Sequence, residues 1–288
     1  MRPAVEPFFH ATTGSYSYVV SDPGSTHAAI IDPVLDYDLV SGRTSAEAAQ
    51  ALGDYVERAG LRVDWILETH VHADHLSAAD HLRQRFGGHL GIGAGVRDVQ
   101  AHWRRVYNLG DDFAADGSQF DRLFTDGDEF EIGQLRARVL ATPGHTSDGI
   151  TYLIGDAAFI GDTLFAPDCG SARCDFPGGN AQTLHASIAK LYALPDTTRV
   201  FMCHDYPDTR RPPRCQTTIA EQKRDNIHVR ADTSREDFVK MREGRDAGLS
   251  LPRLIFPALQ VNIRGGVLPA PEENGARYLK LPLNTRLR

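Results

Sequence analysis

The sequence predicts an α/β protein of the α+β kind, with β-structure covered by helices. Between residues 60 and 107 strand-like runs alternate with helix-like ones, and from Phe120 onward the pattern changes to short strands parted by turn residues. A third feature bears on function: four of the strand-like runs end in histidine or aspartate.

The first runs are Phe8-Phe9-His10, Tyr16-Ser17-Tyr18-Val19-Val20 and Ala28-Ala29-Ile30-Ile31. Ser21-Asp22-Pro23-Gly24 separates the second from the third, and Asp32-Pro33-Val34 closes this meander. Thr44, with Glu47 three residues on, predicts a capped helix over 44–59 that Gly60 ends. A strand over 63–68 follows, then a helix over 73–86 stopped by Gly87-Gly88, a strand over 89–92 and a helix over 95–107. Residues 135–140 alternate apolar and polar, as a half-buried strand does. Gly155-Asp156 turns a hairpin between 151–154 and 157–160, a helix covers 181–193, and a strand runs over 199–203. Two polar helices are expected over 218–226 and 236–245. Beyond Leu251 the chain is rich in proline and apolar residues, and 254–257, 259–263 and 278–283 read as tail segments packed on the body. One domain over 1–288, with a C-terminal extension from residue 251, is the simplest division.

Composition narrows the partners. The 288 residues are 41% hydrophobic and 24% charged, with a formal net charge of -7. No Lys/Arg-rich run appears, so a nucleic-acid surface is not expected. No apolar run approaches the ~20 residues that span a bilayer. The first residues lack the apolar core of a signal peptide. Cys169, Cys174, Cys203 and Cys215 make no CxxC pair or zinc-ribbon spacing, and reduced thiols in the cytoplasm are the expectation.

Three imidazoles and a carboxylate stand within six positions in Thr69-His70-Val71-His72-Ala73-Asp74-His75. Neutral imidazole and carboxylate are the common protein ligands of zinc, iron and manganese. In an extended segment residues two apart point the same way, so His70 and His72 converge, while Asp74 and His75 open the next helix. A polar loop merely rich in histidine is a poor account of such density. Later strand-like runs end near His145, Asp162 and His204. Each of these alone is more often a solvated turn histidine, a turn-closing aspartate or a satisfied strand-end histidine. Beside the cluster, and all at strand ends where α/β proteins build sites, they read as further ligands.

In this order, THVHADH (69–75), PGHT (143–146), GDT (161–163) and CHDY (203–206) resemble the metallo-β-lactamase fold superfamily. The resemblance implies an αββα sandwich: two mixed β-sheets face to face, helices outside, and a metal site along one edge. It also implies a ligand set of His70, His72, Asp74, His75, His145, Asp162 and His204. Two chemistries share this set. Asp32-Pro33-Val34, Glu68 through His75, Arg173-Cys174-Asp175-Phe176 and His204-Asp205-Tyr206 are similar to the persulfide (sulfur) dioxygenases; glyoxalase II sequences read His-Glu-Tyr at the last of these. The spacing from Asp162 to Arg173 is slightly longer than in the animal dioxygenases.

The dioxygenase likeness implies one Fe(2+) per chain on His70, His145 and Asp162, with His72, Asp74, His75 and His204 hydrogen-bonding around it. The implied reaction oxidises glutathione persulfide with O2 and water to sulfite and glutathione. Arg173 is then the candidate partner for glutathione carboxylates, unless it pairs internally with Asp175 or Asp168. Tyr206 and Arg214 are further substrate-binding candidates. Cys169 and Cys174 read as ordinary thiols near the site. Related enzymes imply a homodimer or higher homo-oligomer. The alternative is a glyoxalase II-like thioester hydrolase with two Zn, Fe or Mn ions bridged by Asp162. A non-enzymatic metal scaffold would require a site closed on all sides.

Overall fold

Continuous apolar runs bounded by turn residues make strands covered on both faces, and here they build two six-stranded sheets beside a small three-stranded one. In the computed structural model, which describes residues 2–206 and 211–284, the chain opens with β1 (Ala4–His10), β2 (Ser15–Ser21), β3 (His27–Ile31), β4 (Val34–Asp38) and β5 (Arg43–Ser45). Next come α1 (Glu47–Arg58), β6 (Arg62–Leu67), β7 (Leu76–Ser77), α2 (Ala79–Phe86), β8 (His89–Gly93), α3 (Val96–Val106) and β9 (Arg122–Phe124). The second half holds β10 (Glu129–Ile132), β11 (Leu135–Ala141), β12 (Ile150–Ile154), β13 (Ala157–Phe159), α4 (Ala181–Tyr192), β14 (Arg199–Phe201) and β15 (Gln216–Thr218). Helices α5 (Ile219–Asp225), α6 (Arg235–Asp246) and α7 (Ile255–Asn262) complete it.

The first sheet has the order β1-β2-β3-β6-β8-β9 and the second β10-β11-β12-β13-β14-β15. Both are mixed: β3, β6, β8 and β9 run parallel, as do β13 and β14, while the other neighbours are antiparallel. Tyr18, Val20, Ile31 and Leu67 of the first sheet share one buried cluster with Val139, Tyr152, Phe159 and Phe201 of the second. The Phe159 and Phe201 rings stack at 4.9 Å, with Tyr18 edge-on to both. On the outer face of the first sheet, Val19, Ile30, Ile66 and Ile92 meet Leu52, Val56, Leu82 and Trp103 of the helices. On that of the second, Ala158, Ile160 and Val200 meet Leu184, Ile188 and Phe238. This is the αββα sandwich that the sequence led us to expect. Each fully buried large apolar side chain contributes about 1.5–3 kcal/mol, so three such layers outweigh local helix preferences.

Three expectations are corrected by tertiary contacts. Residues 73–78 are not helix. Leu76 and Ser77 pair with β4 as strand β7, Ser77 N–H donates to Asn262, Ala78 N–H to the Pro33 carbonyl and Ala79 N–H to the Ser77 hydroxyl, so α2 begins only at Ala79. Thr44 does not cap α1: it pairs with Tyr37 in the β4–β5 hairpin, and the Asp36 carboxylate accepts from Ala48 N–H instead. Asp32-Pro33-Val34 does end the meander, as expected: β4, which starts at Val34, belongs to a separate small sheet of order β5-β4-β7. The segments 254–257 and 259–263 are joined in the buried helix α7, since Pro257 lies in its first turn, where a missing N–H costs nothing.

Candidate metal centre

The site gathers where strands of both sheets end. β11, β13 and β14 share one direction, so the residues following them lie at one edge, beside the loop that leaves β6. His70 to His75 come from that loop, His145 from the turn after β11, Asp162 from the turn after β13 and His204 from the segment after β14. Gly161 must be glycine: its φ is +50°, and a Cβ would stand 2.7 Å from the Thr69 hydroxyl. Such close approach brings Asp162 against the histidine loop.

The structure brings all seven candidate ligands together in two adjoining groups. His70, His145 and Asp162 offer ligand atoms all within 4.8 Å of one another, as do His72, Asp74, His75 and His204. Asp162 joins the groups. One oxygen is 3.9 Å from His70 Nε2 and 3.6 Å from His145 Nε2, and the other is 3.5 Å from His204 Nε2. His204 Nε2 also lies 3.2 Å from Asp74.

The fit to a metal rests on atoms without hydrogen-bond partners. His70 Nε2, His72 Nδ1, His75 Nε2, Asp162 Oδ1 and both nitrogens of His204 are buried and make no hydrogen bond, with His204 Nε2 in ion-pair reach of Asp74 and Asp162. Buried polar atoms are normally satisfied, so this many around one point indicate a cation-binding centre. Burial, reinforced by neighbouring imidazoles, lowers the pKa of His70 and of His75, which keeps them in the neutral form a metal takes.

The nitrogens that face away are held. His70 Nδ1 contacts the Thr69 hydroxyl at 3.1 Å, His145 Nδ1 donates to the Arg173 carbonyl at 2.7 Å, and His75 Nδ1 lies 3.3 Å from Ser15 Oγ. His72 Nε2 donates to Asp32 at 3.0 Å. Asp32 also accepts from Thr69 N–H and the Thr69 hydroxyl, which its left-handed backbone, at φ +50°, makes possible. These partners set tautomer and ring orientation. Asp32, Asp148, which accepts from Val71 N–H, and Asn262 were not singled out as site residues by sequence reasoning. The aspartate of Asp32-Pro33-Val34 was a signal; Asn262 had none.

A cleft of about 760 Å3 opens onto Asp74, His145 and Asp162, walled by Tyr37, Phe165, Phe176 and Tyr206. The site is thus not closed on all sides. Tyr206 lines the cleft and its ring is nearly parallel to that of His204. Arg173 also lines it, but its guanidinium grips Asp175 at 2.6 and 2.8 Å and donates to the Ser250 carbonyl, the internal pairing that the sequence left open. Arg214 is turned elsewhere, onto Glu221 and the Gln216 carbonyl, and does not line the cleft. Arg245 and Arg253, not singled out beforehand, do. Cys169 lines the cleft too, Cys174 is buried, and both are free thiols.

Farther along the same wall, His228 Nδ1 accepts from Ser171 N–H at 2.9 Å. Burial, aided by Arg242 and Arg245, lowers its pKa to about 4. An unfolded histidine titrates near ~6.5, so between these values the unfolded chain binds more protons and stability falls as pH drops. Urea unfolding near pH 7 and near pH 5 should show the wild type losing more stability on acidification than His228→Asn. Equal losses would contradict this.

Fold and ligand set together define a metallo-enzyme of αββα architecture. A family model described as the metallo-beta-lactamase superfamily matches residues 11–204, and the chain belongs to that superfamily. It is 55% identical over 282 residues to a beta-lactamase hydrolase-like protein of Agrobacterium fabrum, covering 98% of this chain and 65% of that protein. The chain therefore spans about two thirds of that relative's length. Glyoxylase B2 of Dictyostelium discoideum is 46% identical, with 97% of each chain covered. Among solved structures, ETHE1 from Myxococcus xanthus superposes with a TM-score of 0.73 at 34% identity, covering 92% of this chain and all of that one. The persulfide dioxygenase of Bos taurus bears the same name, ETHE1, and is 29% identical over 266 residues. Among the described residues no helix is long and apolar enough to cross a membrane.

Proposed function

We propose that the chain is an iron-dependent persulfide dioxygenase that converts glutathione persulfide, O2 and water to glutathione, sulfite and two protons. The observation that carries this reading is the grouping of His70, His145 and Asp162. Two imidazoles and one carboxylate with open positions are the ligand set of non-haem iron oxygenases. Ferrous iron, when held there, supplies the redox chemistry that dioxygen requires. The 34% identity to ETHE1 of Myxococcus xanthus adds support.

The chain's own residues bind and orient. Phe165, Phe176 and Tyr206 wall the approach with aromatic surface that displaces water, and Arg245 and Arg253 supply positive charge for an anionic peptide. Asp32 holds His72 from behind, so its free Nδ1 stays turned toward the centre.

A second reading has its own observation. His72, Asp74, His75 and His204 form a further ligand group, as a two-ion thioester hydrolase of the glyoxalase II kind would need. One experiment separates the two: oxygen uptake with glutathione persulfide measured beside hydrolysis of S-lactoylglutathione, on protein of known metal content. Oxygen uptake without thioester hydrolysis supports the dioxygenase, and the reverse overturns it.

A further inference from the structure

The family match ends at residue 204, yet a residue far beyond it reaches the histidine loop. Asn262 closes α7 and is 5% exposed. Its side-chain N–H2 donates to the carbonyls of His72 and His75, each at 2.8 Å, and its Oδ1 accepts from Ser77 N–H at 2.8 Å. An amide has two N–H donors and one carbonyl, and the loop presents two carbonyls and one N–H. The opposite orientation would set oxygen against two oxygens. Carboxylate at this position would do the same, and glutamine would be a methylene too long for a closed space.

The loop cannot hold itself in this shape. Residues 71–75 lie in neither helix nor strand, so their carbonyls have no regular ladder to enter. Ser77 continues the connection: its hydroxyl donates to Glu68, whose other oxygen lies 3.4 Å from His72 Nε2. α7 is itself anchored by Ala258 and Val261, which share a buried cluster with Leu76 of the same connection.

We propose that Asn262 is a positioning residue for the metal centre. By clamping the main chain at His72 and His75 it sets where the loop's imidazoles stand before any ion arrives. The C-terminal segment is thereby part of the centre, although it supplies no ligand. This inference rests on the reading that the histidine–aspartate cluster holds a metal.

The test measures metal release to a chelator, together with hydrogen exchange at the Ser77 amide in metal-free protein. Asn262→Asp keeps the volume and removes both donors, Asn262→Ser shortens the clamp, and Val261→Ala trims the packing of α7 on Leu76 while leaving the Asn262 amide and its three hydrogen bonds in place. Partners of this kind alter metal affinity roughly 10–100-fold, so Asn262→Asp should release metal at least about tenfold faster than wild type. Asn262→Ser should fall in the same direction, and both should exchange the Ser77 amide faster. Val261→Ala should lower the melting temperature yet keep the release rate within about twofold of wild type. Wild-type release from Asn262→Asp, or from Asn262→Ser should Asn262→Asp not fold, overturns the proposal. So does equal acceleration by Val261→Ala, which would mean that only helix stability matters. Wild-type protein that takes up no metal would instead overturn the underlying metal reading.

Discussion

Asp162→Ala is expected to purify with less than about a tenth of the wild-type metal and to lose activity with it, whereas His204→Ala should keep about one ion per chain. The reason lies in how the carboxylate is shared. Its two oxygens face His70 and His145 on one side and His204 on the other, at 3.5–3.9 Å. Removing it leaves His70 and His145 without a carboxylate in their group, so a cation there would meet imidazole nitrogen alone, whereas Asp74 stays with the other group. Removing His204 leaves His70, His145 and Asp162 as they are. Metal analysis after exhaustive dialysis decides the matter. Two tightly held ions in the wild type, one of them lost with His204, would favour the hydrolase.

Gly144→Ala should be the most damaging single-methyl change near the centre. A Cβ there would lie 2.4 Å from both N and Cα of Leu184, in the first turn of α4, and Gly144 has φ +134°. Backbone strain and overpacking each cost about 1–3 kcal/mol, a large part of a total stability of about 5–15 kcal/mol. The clash is with main chain, so only a shift of α4 or of the His145 turn relieves it. We expect a fall of about 3 kcal/mol or more in urea unfolding, with weakened metal retention because His145 is the next residue. Gly127→Ala is the control. It too has positive φ, +88°, but nothing within 4 Å of the added methyl, and it should cost only about 1 kcal/mol. Equal losses for the two variants would show that backbone strain, not the approach of α4, governs this turn.

Much of this architecture was legible in local pattern. Residues 135–140 alternate because alternate side chains enter the core between the sheets, and β11 shows that burial. The helix expected over 181–193 is observed as α4 at Ala181–Tyr192, where Asn180 caps it with its own side chain. The helix expected over 73–86 failed for a physical reason. Its first six residues have ordinary helix propensity, but Asn262, 185 positions away, takes the backbone N–H of Ser77, and the Pro33 carbonyl takes that of Ala78. Local preference is worth tenths of a kcal/mol per residue, whereas a buried unmade hydrogen bond costs about 1–3 kcal/mol.

The same division runs through the site. Spacing of histidine and aspartate, and their placement after strand-like runs, belong to the sequence itself because ligand chemistry is a property of residue type. Orientation does not belong to it. Arg173, the leading candidate cation, and Arg214, a further one, were not told apart in orientation until folding set one on Asp175 at the cleft wall and the other on Glu221, away from it. Likewise only the fold reveals Asp32 behind His72 and Asn262 beneath the histidine loop. Their roles depend on hydrogen bonds spanning 40 and 190 positions, which no local pattern encodes. By itself the sequence determined which chemistry the strand ends carry. The packing of two sheets and α7, driven by apolar burial, decided which groups face that centre and which hold it from behind.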